Sequence, residues 1–175
     1  MNTNLDDFIS FANFLSDESA KIIKKYFRKT LDIESKEDES PVTIADKNTE
    51  LRIRELISKK FPHHGILGEE FEEKDLDSEF VWVIDPIDGT RSFISGHKDF
   101  GTLIALLHNK KPIIGVINCP MHDERWLGIQ GRVTTMNQKE VKSSSKINLE
   151  ECYLSSTGLY MFQNDNFKKG FEKII

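Results

Sequence analysis

The order of hydrophobic patterns along these 175 residues predicts an α+β fold, with two long helices packed on a mostly antiparallel sheet. Helical spacing comes first and short strand-like runs follow. The clearest pair of runs flanks a polar turn, as in a β-hairpin. That succession argues against a doubly wound parallel sheet.

Leu5, Phe8, Ala12, Leu15, Ser19, Ile22, Ile23 and Tyr26 recur at helical spacing. They predict a long amphipathic helix running to about Thr30, with Thr3 and Asp6 as its capping pair. Leu31 to Ser40 is dominated by charge and reads as a mobile, solvated connector. Pro41-Val42-Thr43 then opens a second helix that Thr43 caps and Pro62 follows. Ile44 and Leu51 fall on one side of it, Ile53 and Ile57 on another, so it is expected between two layers. Gly65 to Gly68 forms a short strand running into Glu69 and Glu70. Phe80 to Ile84 is an apolar strand. Gly101 to Leu107 and Pro112 to Ile117 flank His108-Asn109-Lys110-Lys111 as a hairpin. Arg125 to Ile129 and Arg132 to Met136 make a second pair, and Glu151 to Ser156 a further strand.

Composition narrows the function classes. An apolar fraction of 38% and a charged fraction of 30% describe an ordered chain with enough residues for one core. Net charge is −5 with Lys and Arg spread throughout, which excludes a nucleic-acid footprint. An anionic substrate therefore needs local help, from a metal or from backbone N–H groups. Cys119 and Cys152 make no disulfide framework and read as two buried thiols. No apolar run reaches the ~18 residues of a membrane span. The N-terminus lacks the basic and apolar regions of a signal peptide, so a cytoplasmic protein is expected. Repeats, low-complexity tracts and inter-domain linkers are absent from the sequence.

The strongest chemical signal is Asp85-Pro86-Ile87-Asp88-Gly89-Thr90, directly after the apolar run. Pro86 has a fixed φ and no N–H, so it suits the first central position of a tight turn. Such a turn holds Asp85 and Asp88 on one side, where paired oxygen donors suit a hard divalent cation such as Mg²⁺. Gly89 lets a ligand approach the backbone, and Thr90 adds a hydroxyl and an N–H suited to phosphate. The plain alternative is an Asp/Gly-rich β-turn closing a strand. Asp46 and the Glu69-Glu70 pair have plain alternatives too: a helix-capping carboxylate, and the start of a solvated acidic run.

Together these segments resemble the inositol monophosphatase family of Mg²⁺-dependent phosphomonoesterases. The similarity rests on Gly68-Glu69-Glu70 followed by Trp82-Val83-Ile84-Asp85-Pro86-Ile87-Asp88-Gly89-Thr90. Ser40 to Asp46, Phe61 to Phe71, Asp88 to Gly96, Phe100 to Leu107 and Glu124-Arg125-Trp126 are similar to the branch with histidinol-phosphate phosphatases. The resemblance runs from about Phe8 to Phe162 and implies a layered sugar-phosphatase fold. It implies Glu69, Asp85 and the Ile87 carbonyl as ligands of one Mg²⁺, with Asp85 and Asp88 serving a second. Glu69, Ile87, Asp88, Gly89 and Thr90 would line the substrate phosphate site, through the N–H groups of Gly89 and Thr90. Asp46 and Thr90 would activate a water, Glu70 would assist them, and Lys36 would lie in a metal-proximal loop. The implied reaction is hydrolysis of L-histidinol phosphate in histidine biosynthesis. Inositol monophosphate or another small sugar or nucleotide phosphate is the alternative substrate. The implied partner is a small phosphorylated metabolite, with no nucleic acid or membrane, and the complete protein would be a homodimer.

The resemblance also implies a second α/β half containing a Trp-Asp motif, which this sequence does not hold. Residues 1–175 are accordingly expected to be an incomplete N-terminal domain with part of its sheet exposed, poorly active alone and prone to associate. A fragment that binds metal or phosphate and needs a partner chain is the reading from a different functional class.

Overall fold

The computed structural model describes residues 5–30, 33–35, 41–153 and 169. Two compact units divide the chain, residues 1–142 and residues 143–175.

In the first unit, α1 (Leu5–Tyr26) buries Phe8, Phe11, Ala12, Leu15, Ser16, Ser19 and Ile23 along one face. Small Ala and Ser side chains let the helix approach the sheet closely, and the Ser hydroxyls donate back to the helix: Ser16 Oγ to Ala12 O at 2.8 Å, Ser19 Oγ to Ser16 O at 2.9 Å. The helix ends short of Thr30 because Arg28 takes a left-handed φ of 58°. Its expected cap at Thr3 lies outside the described residues.

Part of the expected solvated connector is paired. Strand β1 (Ile33–Ser35) runs antiparallel to β2 (Pro41–Thr43). A backbone ladder needs no apolar side chains, so charge alone did not betray it. Helix α2 (Ile44–Lys60) follows, capped as expected: Thr43 Oγ1 accepts from Ala45 N–H at 3.1 Å. Ile53 and Ile57 are buried, but Ile44 is 45% exposed and Leu51 47% exposed. Helix α2 thus has one buried face here, not the two expected.

The main sheet has the order β3–β9: β3 (Gly65–Gly68), β4 (Phe80–Asp88), β5 (Gly101–His108), β6 (Lys111–Cys119), β7 (Glu124–Ile129), β8 (Thr135–Met136) and β9 (Lys139–Glu140). Among the described residues only β3 and β4 pair in parallel; every other pairing in this sheet is antiparallel. The β5–β6 turn closes on Asn109 and Lys110, with φ of 49° and 66°. Positive φ at both central residues is the hairpin geometry that matches strand twist.

Alternation along the strands sorts the two sheet faces. Trp82, Ile84, Ile104, Leu106, Ile114 and Val116 join Phe8, Phe11, Leu15, Ile53 and Ile57 in the principal core. Arg125 ties α1 to this sheet by donating to Asn118 Oδ1 at 2.9 Å and to Asp17 Oδ1 at 2.6 Å. The opposite face carries Val83, Leu103, Ala105, Ile117 and Trp126 along an apolar groove of about 490 Å³, with Ile117 48% exposed. An exposed apolar sheet face was expected.

In the second unit, Leu149–Glu151 is a single 3₁₀ turn, so Glu151 does not start the expected strand. The rest of that strand, from residue 154, lies outside the described residues. The thiols also differ from expectation: both are free, but Cys119 is half-buried and Cys152 exposed. No helix among the described residues is long and apolar enough to cross a membrane.

Candidate metal and phosphate site

Strand register builds the site. Gly68 on β3 pairs with Ile84 on β4 in parallel, so Glu69, just past the end of β3, comes level with Asp85 within β4. Sixteen residues of sequence separation vanish in one lateral step. Along β4, the register against β5 goes from Asp85↔Leu103 to Asp88↔Gly101, one residue more on β4 than on β5. This is a bulge, not the tight turn expected around Pro86. In an uninterrupted strand Asp85 and Asp88 would point to opposite faces; the extra residue returns them to one side. Thr102 Oγ1 donates to Pro86 O at 3.0 Å and fastens the bulge to β5.

Gly89 follows with φ of 87°, the left-handed conformation that glycine adopts without strain. A Cβ there would also lie 3.0 Å from Asp99 O. Helix α3 (Thr90–Ile94) begins next, with Phe93 packed against Ile87, Phe100 and Ile23 in a second, smaller core. That core anchors the bulge from beneath. Beside it opens a cleft of about 440 Å³ lined by Asp88, Gly89, Asp99, Cys119, His122 and Glu124.

Asp46 performs two tasks at once. Its Oδ2 accepts from Thr43 N–H at 2.8 Å and from Thr43 Oγ1 at 2.6 Å, completing the capping box of α2. Its Oδ1 lies 3.4 Å from Thr90 Oγ1, which also reaches Ile87 O at 3.0 Å. The capping role and the place in the site are therefore compatible, because a carboxylate has two oxygens to use. Asp46 is only 1% exposed.

The electrostatics of Asp85 are unusual. Burial, then the Glu69 carboxylate as a like charge and hydrogen-bond partner, then Asp88 and Asp46, push its pKa up to about 8. Its Oδ1 is buried and has no hydrogen-bond partner. Orphaned buried oxygens are rare and carry a real desolvation cost. An unpartnered carboxylate oxygen amid three further acids fits a hard cation, which takes oxygen donors and relieves like-charge repulsion. As the side chains stand, no three His, Cys, Asp or Glu residues among those described are grouped closely enough to hold a metal ion.

Of the sequence-derived candidates, Glu69, Asp85, Asp88, Asp46, Ile87, Gly89 and Thr90 gather around the ends of β3 and β4. Glu70 enters through its backbone, whose N–H donates to Glu50 Oε2 at 2.8 Å. Lys36 lies outside the described residues. Sequence reasoning missed Glu50, which is fully buried with Arg54 donating to it at 2.7 Å. The signal was available: Asp46, Glu50, Ile53 and Ile57 share one helical stripe, so Glu50 belongs to the buried face.

Comparisons with known proteins identify the family and the fold. A family model described as the inositol monophosphatase family matches residues 4–173. The chain is 43% identical to "Bifunctional phosphatase IMPL2, chloroplastic" of Arabidopsis thaliana, over 99% of this chain and 50% of that protein. It is also 43% identical to a histidinol-phosphatase of Chlorobaculum parvum, over 75% of this chain and 51% of that one. Among solved structures, an inositol monophosphatase from Zymomonas mobilis superposes with a TM-score of 0.82 at 39% identity, covering 99% of this chain and 66% of that chain. The chain spans about half the length of the curated relatives it matches.

Proposed function

The chain belongs to the inositol monophosphatase family, and from that premise we propose that it carries the cation- and phosphate-binding part of a Mg²⁺-dependent phosphomonoesterase. The observation that carries this reading is the orphaned Oδ1 of Asp85, a residue on which Glu69 and Asp88 act as like charges. Glu69, Asp85, Asp88 and the Ile87 carbonyl would hold Mg²⁺, which supplies Lewis acidity at a phosphoryl group and acidifies water. The chain's own groups do the positioning. Thr90 Oγ1, 3.0 Å from Ile87 O and 3.4 Å from Asp46 Oδ1, would pass a proton from an attacking water to Asp46. The N–H groups of Gly89 and Thr90 would bind phosphate oxygens, and Glu70 would accept a hydrogen bond at the margin. In phosphoryl transfer, such positioning and charge complementarity supply most of the acceleration.

The substrate proposed is L-histidinol phosphate, supported by the identity shared with the Chlorobaculum histidinol-phosphatase. Inositol monophosphate is the second reading, favoured by likeness to the Zymomonas inositol monophosphatase. Because the curated relatives are about twice as long, the test uses a chain joined to the remaining length of such a relative. Phosphate release from histidinol phosphate, inositol monophosphate and fructose bisphosphate is measured side by side. At least a tenfold higher kcat/KM for histidinol phosphate, about 1.4 kcal/mol in transition-state binding, is expected. The reverse preference would replace that substrate. In the same protein Thr90→Ala and Asp46→Asn should lower kcat far more than they weaken Mg²⁺ binding.

A further inference from the structure

Glu50 is 0% exposed, and both of its carboxylate oxygens are in use. Oε1 accepts from Arg54 Nε at 2.7 Å, and Oε2 accepts from the backbone N–H of Glu70 at 2.8 Å. Arg54 in turn donates from Nη2 to Phe71 O at 3.0 Å. One ion pair on α2 thus grips two consecutive residues of the segment that follows β3. Packing closes the arrangement from the other side. Gly68 lies against Glu50 so closely that a Cβ there would overlap the carboxylate.

An exposed Glu–Arg pair one helical turn apart would add only a few tenths of a kcal/mol. Burying one instead costs desolvation that a hydrophobic pair would avoid. The position of this pair gives that cost a use. Gly68 and Glu70, which Glu50 touches, are the two neighbours of Glu69. We propose that Glu50 and Arg54 are positioning residues for the divalent-cation site: they fix the Gly68–Phe71 segment so that Glu69 stands beside Asp85 before a cation arrives. Glu50 is not itself a ligand, since Arg54 and the Glu70 N–H occupy its two oxygens. The inference rests on the reading of Glu69 and Asp85 as cation ligands.

The test measures Mg²⁺ affinity by calorimetry on the 175-residue chain and its Glu50→Gln, Glu50→Asp, Arg54→Met and Asp85→Asn variants. Exchange of the Glu70 amide hydrogen is followed in parallel, without Mg²⁺. Glu50→Gln should weaken Mg²⁺ binding about tenfold or more, as removal of outer-shell partners does. It should also speed Glu70 amide exchange. Glu50→Asp, which keeps the charge, should recover part of both. If Glu50→Gln does not fold, Arg54→Met carries the same two readouts. Mg²⁺ affinity within twofold of the parent would overturn the proposal, and so would weakened binding with the Glu70 amide still protected. Asp85→Asn separates the layers. Parent-like Mg²⁺ affinity in that variant would sink the cation reading itself, whereas its loss beside unaffected Glu50 variants would sink only this inference.

Discussion

At one end of β4, Trp82 is fully buried against Phe8, Phe11 and Phe61, and its indole N–H donates to His64 Nδ1 at 3.1 Å. At the other, Asp85 is pressed among Glu69, Asp88 and Asp46 with one buried oxygen unpartnered. A few residues of the same strand separate a region where every requirement is met from one where several are violated. The difference teaches where stability and where chemistry were placed. Apolar burial with a satisfied polar tip lowers the free energy of the fold. Crowded carboxylates raise it, and the strain becomes binding energy for whatever neutralises them.

Four variants sharpen or break this contrast. The largest effect is expected at the satisfied end: Trp82→Ala should cost about 3–5 kcal/mol in denaturant unfolding, from lost burial and a cavity. At the strained end, Asp85→Asn should lower Mg²⁺ affinity about 100-fold, or about 2.7 kcal/mol. In chelator above pH 8, where Asp85 is ionised, it should leave the thermal midpoint unchanged or higher, because a repelling charge is gone. A clear fall in that midpoint would show Asp85 to be an ordinary stabilising residue. Thr43→Ala, which removes a helix cap and one grip on Asp46, should cost about 1–2 kcal/mol.

The smallest effect concerns pH. Burial holds the His64 pKa below its usual value, while Glu79 pulls it up and His63 adds to the depression. Its unfolded form therefore binds the proton more readily, so stability is lost as pH falls from about 6.5 toward the lower folded value. His64→Gln keeps an acceptor for Trp82 and removes the titration. Thermal midpoints from pH 7 to 5 should decline less steeply in that variant.

Local features were legible in the sequence. The apolar run of β4, the hairpin turn at Asn109-Lys110 and the Thr43 cap each depend on adjacent residues, and each appears as expected. What escaped was set by partners distant in the chain. The β4 bulge exists only relative to β5, and Pro86 by itself suggested a turn. Ile44 and Leu51 looked like core, because apolar character does not reveal whether another layer arrives to cover it. In the site the acids were readable as types. That Glu69 meets Asp85 was a matter of parallel register, and Glu50 went unremarked because a charged residue one helical turn from Arg54 does not by itself signal burial.

Parallel pairing of β3 and β4 also has a consequence for the order of assembly. The β5–β6 hairpin joins residues a short loop apart and can close early, whereas β3 and β4 must wait for a longer connection to be drawn in. A small step shortens that wait: Ile66 and Lys74 exchange two backbone hydrogen bonds of 2.8 Å, folding part of the connection back on β3. Glu69 and Asp85 are therefore expected to meet after the β5–β6 hairpin has closed. Their repulsion would then be absent from the folding barrier and expressed in how fast the finished molecule comes apart. Above pH 8, where Asp85 is ionised, Asp85→Asn should slow unfolding in stopped-flow experiments and leave the refolding rate nearly untouched.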